Sequence, residues 1–74
     1  MFDDYNDVET DIICKYIVST NKAILIEVDG EREWLPMSQI SDASVDLNDI
    51  PALDRGNPLT ITIPEWLAEE KGLV

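Results

Sequence analysis

The sequence predicts an α+β protein that is mostly β: a small antiparallel sheet or open SH3-like barrel of four to five strands with one short C-terminal helix. Three observations predict this fold. Short segments alternate apolar and polar residues, as half-buried strands do. Tight-turn signals separate the segments, most clearly Asp29-Gly30. A segment after Pro64 carries the start and stop signals of a helix.

The first segment of the chain is distinguished by its charge. Residues 1–11 contain several Asp and Glu residues and no base. Like charges at this density oppose packing, so we expect residues 1–11 to form an acidic, mobile N-terminal segment. Residues 12–74 are then expected to form a single small β-rich domain.

The first predicted strand covers residues 12–18 and is apolar on both faces. One face carries Ile12, Cys14, Tyr16 and Val18, and the other carries Ile13, Lys15 and Ile17. This composition predicts a strand covered on much of both sides. A turn is expected over residues 19–22.

A hairpin follows this turn. Alternation predicts a strand over residues 23–28, and Asp29-Gly30 suits a type I′ turn because both central positions need a positive φ. The return strand covers residues 31–35 and places Trp34 on the face of Arg32. Pro36 then stops the pairing.

The remaining elements are a turn, a loop, a strand and a helix. Residues 36–40 predict one tight turn that drops Met37 or Ile40 onto the sheet. Residues 41–58 carry a weak signal and predict a loop, functional or poorly ordered, with one extended piece near residues 43–47. Residues 59–63 alternate strictly and predict a strand.

Pro64 is expected to open the C-terminal helix in its first turn. Trp66 and Leu67 would anchor the helix to the sheet. Gly72 suits the left-handed position after the helix, and Leu73 can fold back as in a Schellman motif.

The residue inventory argues against an enzyme. The chain has no histidine and no glycine-rich phosphate loop. Cys14 is the only cysteine, and its apolar surroundings predict an inert core thiol. We therefore expect no catalytic residue, no metal site and no cofactor.

Net charge is the strongest functional signal. Sixteen acidic residues against five basic ones give −11. Such an excess repels nucleic acid and anionic membranes and favours a basic protein surface, although solubility alone is an alternative reason for it. The single cysteine and the lack of an apolar run of about 20 residues predict a cytoplasmic protein.

The candidate partner-binding residues are carboxylates of the hairpin and of the following loop: Glu27, Asp29, Glu31, Glu33, Asp42, Asp46 and Asp49. Cross-strand carboxylates on the hairpin would lie about 5 to 8 Å apart, a spacing close to that of successive phosphates. The alternative is a charged edge that only prevents aggregation. Candidate apolar anchors are Trp34, Met37 and Trp66, for which core packing is the alternative.

Two segments resemble small uncharacterised proteins of bacteriophages and integrated mobile elements. They are residues 22–40 (KAILIEVDGEREWLPMSQI) and residues 63–73 (IPEWLAEEKGL). The resemblance implies a phage or prophage protein in a bacterial cytoplasm. Size and charge are also similar to those of phage-encoded anti-CRISPR and anti-restriction proteins, several of which imitate DNA. That similarity is one of class, so it assigns no residue a role.

We therefore expect an acidic, phage-type protein that inhibits or modulates a basic nucleic-acid-binding protein of the host. The alternative is a non-catalytic accessory module of phage DNA metabolism that binds a protein through apolar contacts. A homodimer through a strand edge is a further expectation.

Overall fold

Five antiparallel strands form one open sheet in the computed structural model, which describes residues 8–74. In chain order the elements are β1 (Glu9–Ser19), β2 (Ala23–Val28), β3 (Glu31–Pro36), a 3₁₀ turn (Met37–Gln39), β4 (Asp42–Ala43), a 3₁₀ helix (Leu47–Ala52), β5 (Pro58–Pro64) and α1 (Glu65–Glu70). The strand order is β3-β2-β1-β5-β4. The predicted mostly-β fold with a short C-terminal helix is confirmed, in its open-sheet form.

The long central strand β1 joins two halves of the sheet that are offset along it. Its residues 9–15 pair with β5, and its residues 15–19 pair with β2. The β2–β3 hairpin therefore extends one end of β1, and the β5–β4 pair extends the other. Part of each edge of β1 is consequently left beyond the reach of the neighbouring strand.

A β-bulge reverses the side-chain alternation of β1. Tyr16 pairs with Ile26 and Val18 pairs with Leu25, so Ile17 is an extra residue without a partner on β2. Ile17 is buried, whereas Val18 is 45% exposed. The prediction that Val18 shares a face with the buried residues of β1 is therefore wrong.

The prediction that β1 is covered on both sides is also wrong. Ile13, on the opposite side of the strand from Ile12 and Cys14, is 80% exposed. One face of the sheet packs a core and the other faces solvent. We refer to these as the covered face and the open face.

The strand also begins earlier than the sequence predicts. Glu9 pairs with Pro64, and Asp11 pairs with Thr62, whose hydroxyl donates to the Asp11 carboxylate at 2.6 Å. Residues 9–11 of the expected mobile segment are therefore paired in the sheet. Residues 1–7, to which the rest of that prediction applies, lie outside the described residues.

Local turn and cap signals are confirmed. Asp29 and Gly30 both have positive φ, at 53° and 84°. Gly72 has φ 72°, and the N–H groups of Gly72 and Leu73 donate to the carbonyls of Glu69 and Ala68 in the Schellman pattern. Pro64 differs from expectation: it is the last residue of β5 and precedes the helix rather than opening its first turn.

The core fills the space between the covered face, α1 and the 3₁₀ helix. Its members are Ile12, Cys14, Tyr16, Ile24, Ile26, Leu35, Ile40, Ile50, Leu59, Ile61, Ile63, Leu67 and Ala68. Ile50 is fully buried, and burial of such a side chain contributes about 1.5–3 kcal/mol. The segment predicted as a loop is thus partly structured: its extended piece is Asp42–Ala43, and Leu47–Ala52 adds a helix that the sequence did not indicate.

Candidate protein-binding surface

The hairpin carboxylates fall on two faces of the sheet. Glu27 lies on the open face, where the Arg32 Nε lies 3.5 Å from the Glu27 Oε1. On the neighbouring strand β1, Lys15 is the register partner of Glu27. Glu31 and Glu33 instead pair with Val28 and Ile26, on the covered side. The expected cross-strand pair of carboxylates is therefore wrong, because the residue opposite Glu27 is a base.

A polar groove lies between the hairpin and the end of α1. It has a volume of about 250 Å³. It is lined by Val28, Asp29, Glu31, Glu33, Lys71, Gly72 and Leu73. Three carboxylates thus face a single ammonium group, and the groove keeps a negative balance. A cationic side chain of a partner fits this chemistry better than an anion does.

The loop carboxylates lie at the opposite edge of the sheet. Strands β3 and β4 are the two edges, four strand spacings apart, or about 19 Å. The Asp46 side chain accepts from the Asn48 N–H at 2.8 Å and caps the 3₁₀ helix. Asp49 lies in the first turn of that helix. The seven predicted carboxylates therefore do not form one array, and some of them serve the fold.

A further acidic row crosses the open face, and the sequence analysis did not identify it. Thr62 of β5 lies between Asp11 of β1 and Asp42 of β4. Glu9 follows on the same face of β1. Asp42 is a predicted candidate, whereas Glu9 and Asp11 are absent from the predicted set because residues 1–11 are expected to form a mobile segment. Val8 and the β-branched Thr10, which stand at alternate positions before Ile12, are the signal that could have extended the strand.

The open face also carries an exposed apolar row. Trp34, Leu25 and Val18 are neighbours across β3, β2 and β1. Trp34 is 47% exposed. The other two predicted anchors, Met37 and Trp66, are half-buried against the core. Leu25 and Val18 were missed, the latter because the bulge places it on this face.

Cys14 offers little chemistry. Its side chain is buried, and burial raises the pKa of the thiol from 9.0 to about 11. The thiol is therefore protonated at neutral pH and is a poor nucleophile. Within residues 8–74, no group of three or more His, Cys, Asp or Glu side chains could hold a metal ion.

Comparison with known protein families, curated proteins and solved structures gives no match for this chain. No helix within residues 8–74 has both the length and the apolar character needed to cross a membrane.

Proposed function

We propose that this protein is a non-catalytic binding protein that docks on the basic, nucleic-acid-binding surface of a bacterial host protein and inhibits or modulates it. One observation carries the proposal: the chain has a net charge of −11, and no charged side chain of residues 8–74 is buried. The acidic field is therefore directed outward, where a partner can use it. Such a field accelerates encounter with a basic surface.

The region around the hairpin tip supports this proposal best. Asp29 lines the polar groove together with Glu31 and Glu33. It also lines a second cavity, of about 350 Å³, that Ile13 of β1 borders. From there β1 continues to Asp11 and Glu9. These carboxylates lie on both sides of the sheet, with Glu31 and Glu33 on the covered side and Glu9 and Asp11 on the open face. We call the set of Glu9, Asp11, Asp29, Glu31 and Glu33 the hairpin-tip surface.

The proposed partner chemistry follows from the charges. Lys or Arg side chains that normally bind phosphates would bind these carboxylates instead. The protein would thereby compete with nucleic acid for the same surface, as a phage-encoded imitator of DNA does. The resemblance of residues 22–40 and 63–73 to phage and mobile-element proteins implies a bacterial cytoplasm as the setting of the proposed activity.

Affinity capture from bacterial lysate tests the proposal. Tagged protein would be washed at low and high salt, and duplex DNA would be added as a competitor. We expect a nucleic-acid-binding protein that is retained at low salt, released at high salt and displaced by DNA. A partner that remains bound at high salt and in the presence of DNA would contradict the proposal.

Charge reversal locates the contact. The double variant Glu31→Lys, Glu33→Lys should abolish capture because it reverses two carboxylates of the groove. The double variant Asp54→Lys, Glu70→Lys changes the net charge equally at exposed positions outside the hairpin-tip surface. It should retain most of the binding. Equal loss in both variants would show that net charge alone drives capture.

A second function is favoured by the apolar row of Trp34, Leu25 and Val18. In this alternative the protein is an accessory module of phage DNA metabolism that binds through apolar contacts, and its acidity serves solubility. A salt-resistant partner lost in Trp34→Ser but kept in the groove variant would favour it.

A further inference from the structure

Among residues 8–74, no strand lies beside one edge of β1 over residues 9–13. The hairpin strand β2 pairs with β1 only from Lys15 onward, and the chain turns away at Asp29-Gly30. Within residues 8–74, no backbone group bonds to this edge. Five residues of free edge span about 17 Å, the length of an ordinary strand.

The direction of the backbone groups follows from the bonds next to this edge. The Tyr16 N–H donates to the Asn57 carbonyl, and the Tyr16 carbonyl accepts from the Gly56 N–H, so Tyr16 faces the β5 side. Backbone groups alternate sides along a strand. The backbone N–H and C=O groups of even-numbered residues such as Ile12 therefore point toward β5. Those of Glu9, Asp11 and Ile13 point toward the free edge.

The side chains beside the free edge have a definite character. Glu9, Asp11 and Ile13 lie on the open face, and Ile13 is 80% exposed. Asp29, at the hairpin tip, borders the cavity that Ile13 lines. An added strand would thus meet two carboxylates along its length, a third at its end and one exposed apolar side chain.

Charge decides between the possible occupants. Antiparallel pairing of two copies over residues 9–13 would place Asp11 directly opposite Asp11 of the second copy, and facing like charges are unfavourable. Nucleic acid is repelled for the same reason. An extended segment in which Lys or Arg alternates with apolar residues would complement both the carboxylates and Ile13.

We infer that the free edge of β1 takes an extended basic segment of the partner protein as an added strand. Main-chain hydrogen bonds to Glu9, Asp11 and Ile13 supply the pairing, and the carboxylates of Glu9, Asp11 and Asp29 select cationic side chains. This inference rests on the proposed function, because it specifies how a basic partner is held.

Hydrogen exchange on the isotopically labelled full chain tests the inference. The probe is a capped synthetic peptide in which arginine alternates with valine. At 90% occupancy, exchange of the amides of Glu9, Asp11 and Ile13 should slow about tenfold, since only the free protein exchanges them. The amides of Thr10 and Ile12, which already face β5, should not change. Protection of Glu9, Asp11 and Ile13 in the free protein would overturn the inference.

Two controls separate strand addition from simple charge attraction. A peptide with proline in place of valine keeps the charge but cannot pair, and it should give no alternating protection. Backbone N-methylation of Asp11, introduced by chemical ligation at Cys14, removes one donor of the free edge while leaving its carboxylate. It should weaken binding of the arginine–valine peptide by up to about tenfold, the upper end of what one neutral main-chain hydrogen bond contributes.

The outcomes distinguish this inference from the proposed function. If the proline peptide binds as tightly as the valine peptide, or N-methylation has no effect, strand addition is wrong while the charge-based function stands. If lysate capture yields only salt-resistant partners, the proposed function fails, whatever the peptide does.

Discussion

Individual carboxylates of this protein differ in what they do for the fold. Asp11 accepts a hydrogen bond from Thr62, Asp46 caps a helix, and Glu27 lies beside Arg32. Asp29 and Glu31 are exposed, and within residues 8–74 their carboxylates make no hydrogen bond. Substitutions of Asp46 and Glu27 are expected to alter stability, and those of Asp29 and Glu31 should chiefly alter binding. Substitution of Asp11 should alter both.

Asp46 provides a direct test of the structural group. Asp46→Ala should lower the free energy of unfolding by about 1 kcal/mol, because the Asn48 N–H loses its acceptor. Urea denaturation followed by fluorescence measures the change. Asp46→Asn retains an acceptor oxygen and should behave like the parent protein; an equal loss in both variants would assign the effect to charge.

Ionisation of Cys14 should lower the stability of the folded protein at alkaline pH. Its folded-state pKa of about 11 lies above the unfolded value of 9.0, so the folded state holds the thiol proton more tightly. This contribution is complete below pH 9.0 and is lost as the pH rises toward about 11. Denaturation midpoints measured across this range should fall less in Cys14→Ala than in the parent protein. Parallel curves for the two proteins would contradict the prediction.

At the scale of elements, local signals in the sequence predicted much of the fold. The Asp29-Gly30 turn, the alternation of β2 and the glycine stop after α1 each depend on a few neighbouring residues. The bulge at Ile17 does not, since it arises from the pairing of β1 with β2. The helix Leu47–Ala52 was missed because a proline such as Pro51 normally ends a helix. This 3₁₀ helix nevertheless contains Pro51.

The C-terminal cap is an element whose energetic role can be measured. Gly72→Ala should lower the free energy of unfolding by about 1 kcal/mol, because a side chain is disfavoured at φ 72°. Lys71→Ala is the matched control, since Lys71 has a right-handed helical backbone and tolerates alanine. Thermal unfolding by circular dichroism compares the two. An equal loss in the free energy of unfolding for the two variants would contradict the prediction, because the loss would then not depend on the left-handed conformation of Gly72.

At the scale of the whole molecule, pairing of distant segments sets which side chains meet. The candidate carboxylates all lie outside the core, but which of them lie together depends on register and strand order. Glu27 and Glu31 lie on opposite sides of one hairpin, and Asp42 lies at the far edge of the sheet. In the strand order of the sheet, β5 lies beside β1, and no short-range signal in the sequence indicates this neighbour. The sequence therefore indicated Asp29, Glu31 and Glu33, whereas Glu9 and Asp11 join the hairpin-tip surface only because β1 begins at Glu9.

The net charge should also govern stability as a whole. With −11 on 74 residues, the folded state brings exposed carboxylates closer together than the unfolded chain does, and their repulsion opposes folding. Raising NaCl from 20 to 500 mM shortens the screening length, and we expect about 1 kcal/mol of added stability, or roughly 4–8 °C in the melting temperature. The variant Asp54→Asn, Glu70→Gln carries less charge and should melt higher at low salt and respond less to NaCl. A melting temperature that falls with salt would show that attractive pairs such as Arg32–Glu27 outweigh the repulsion.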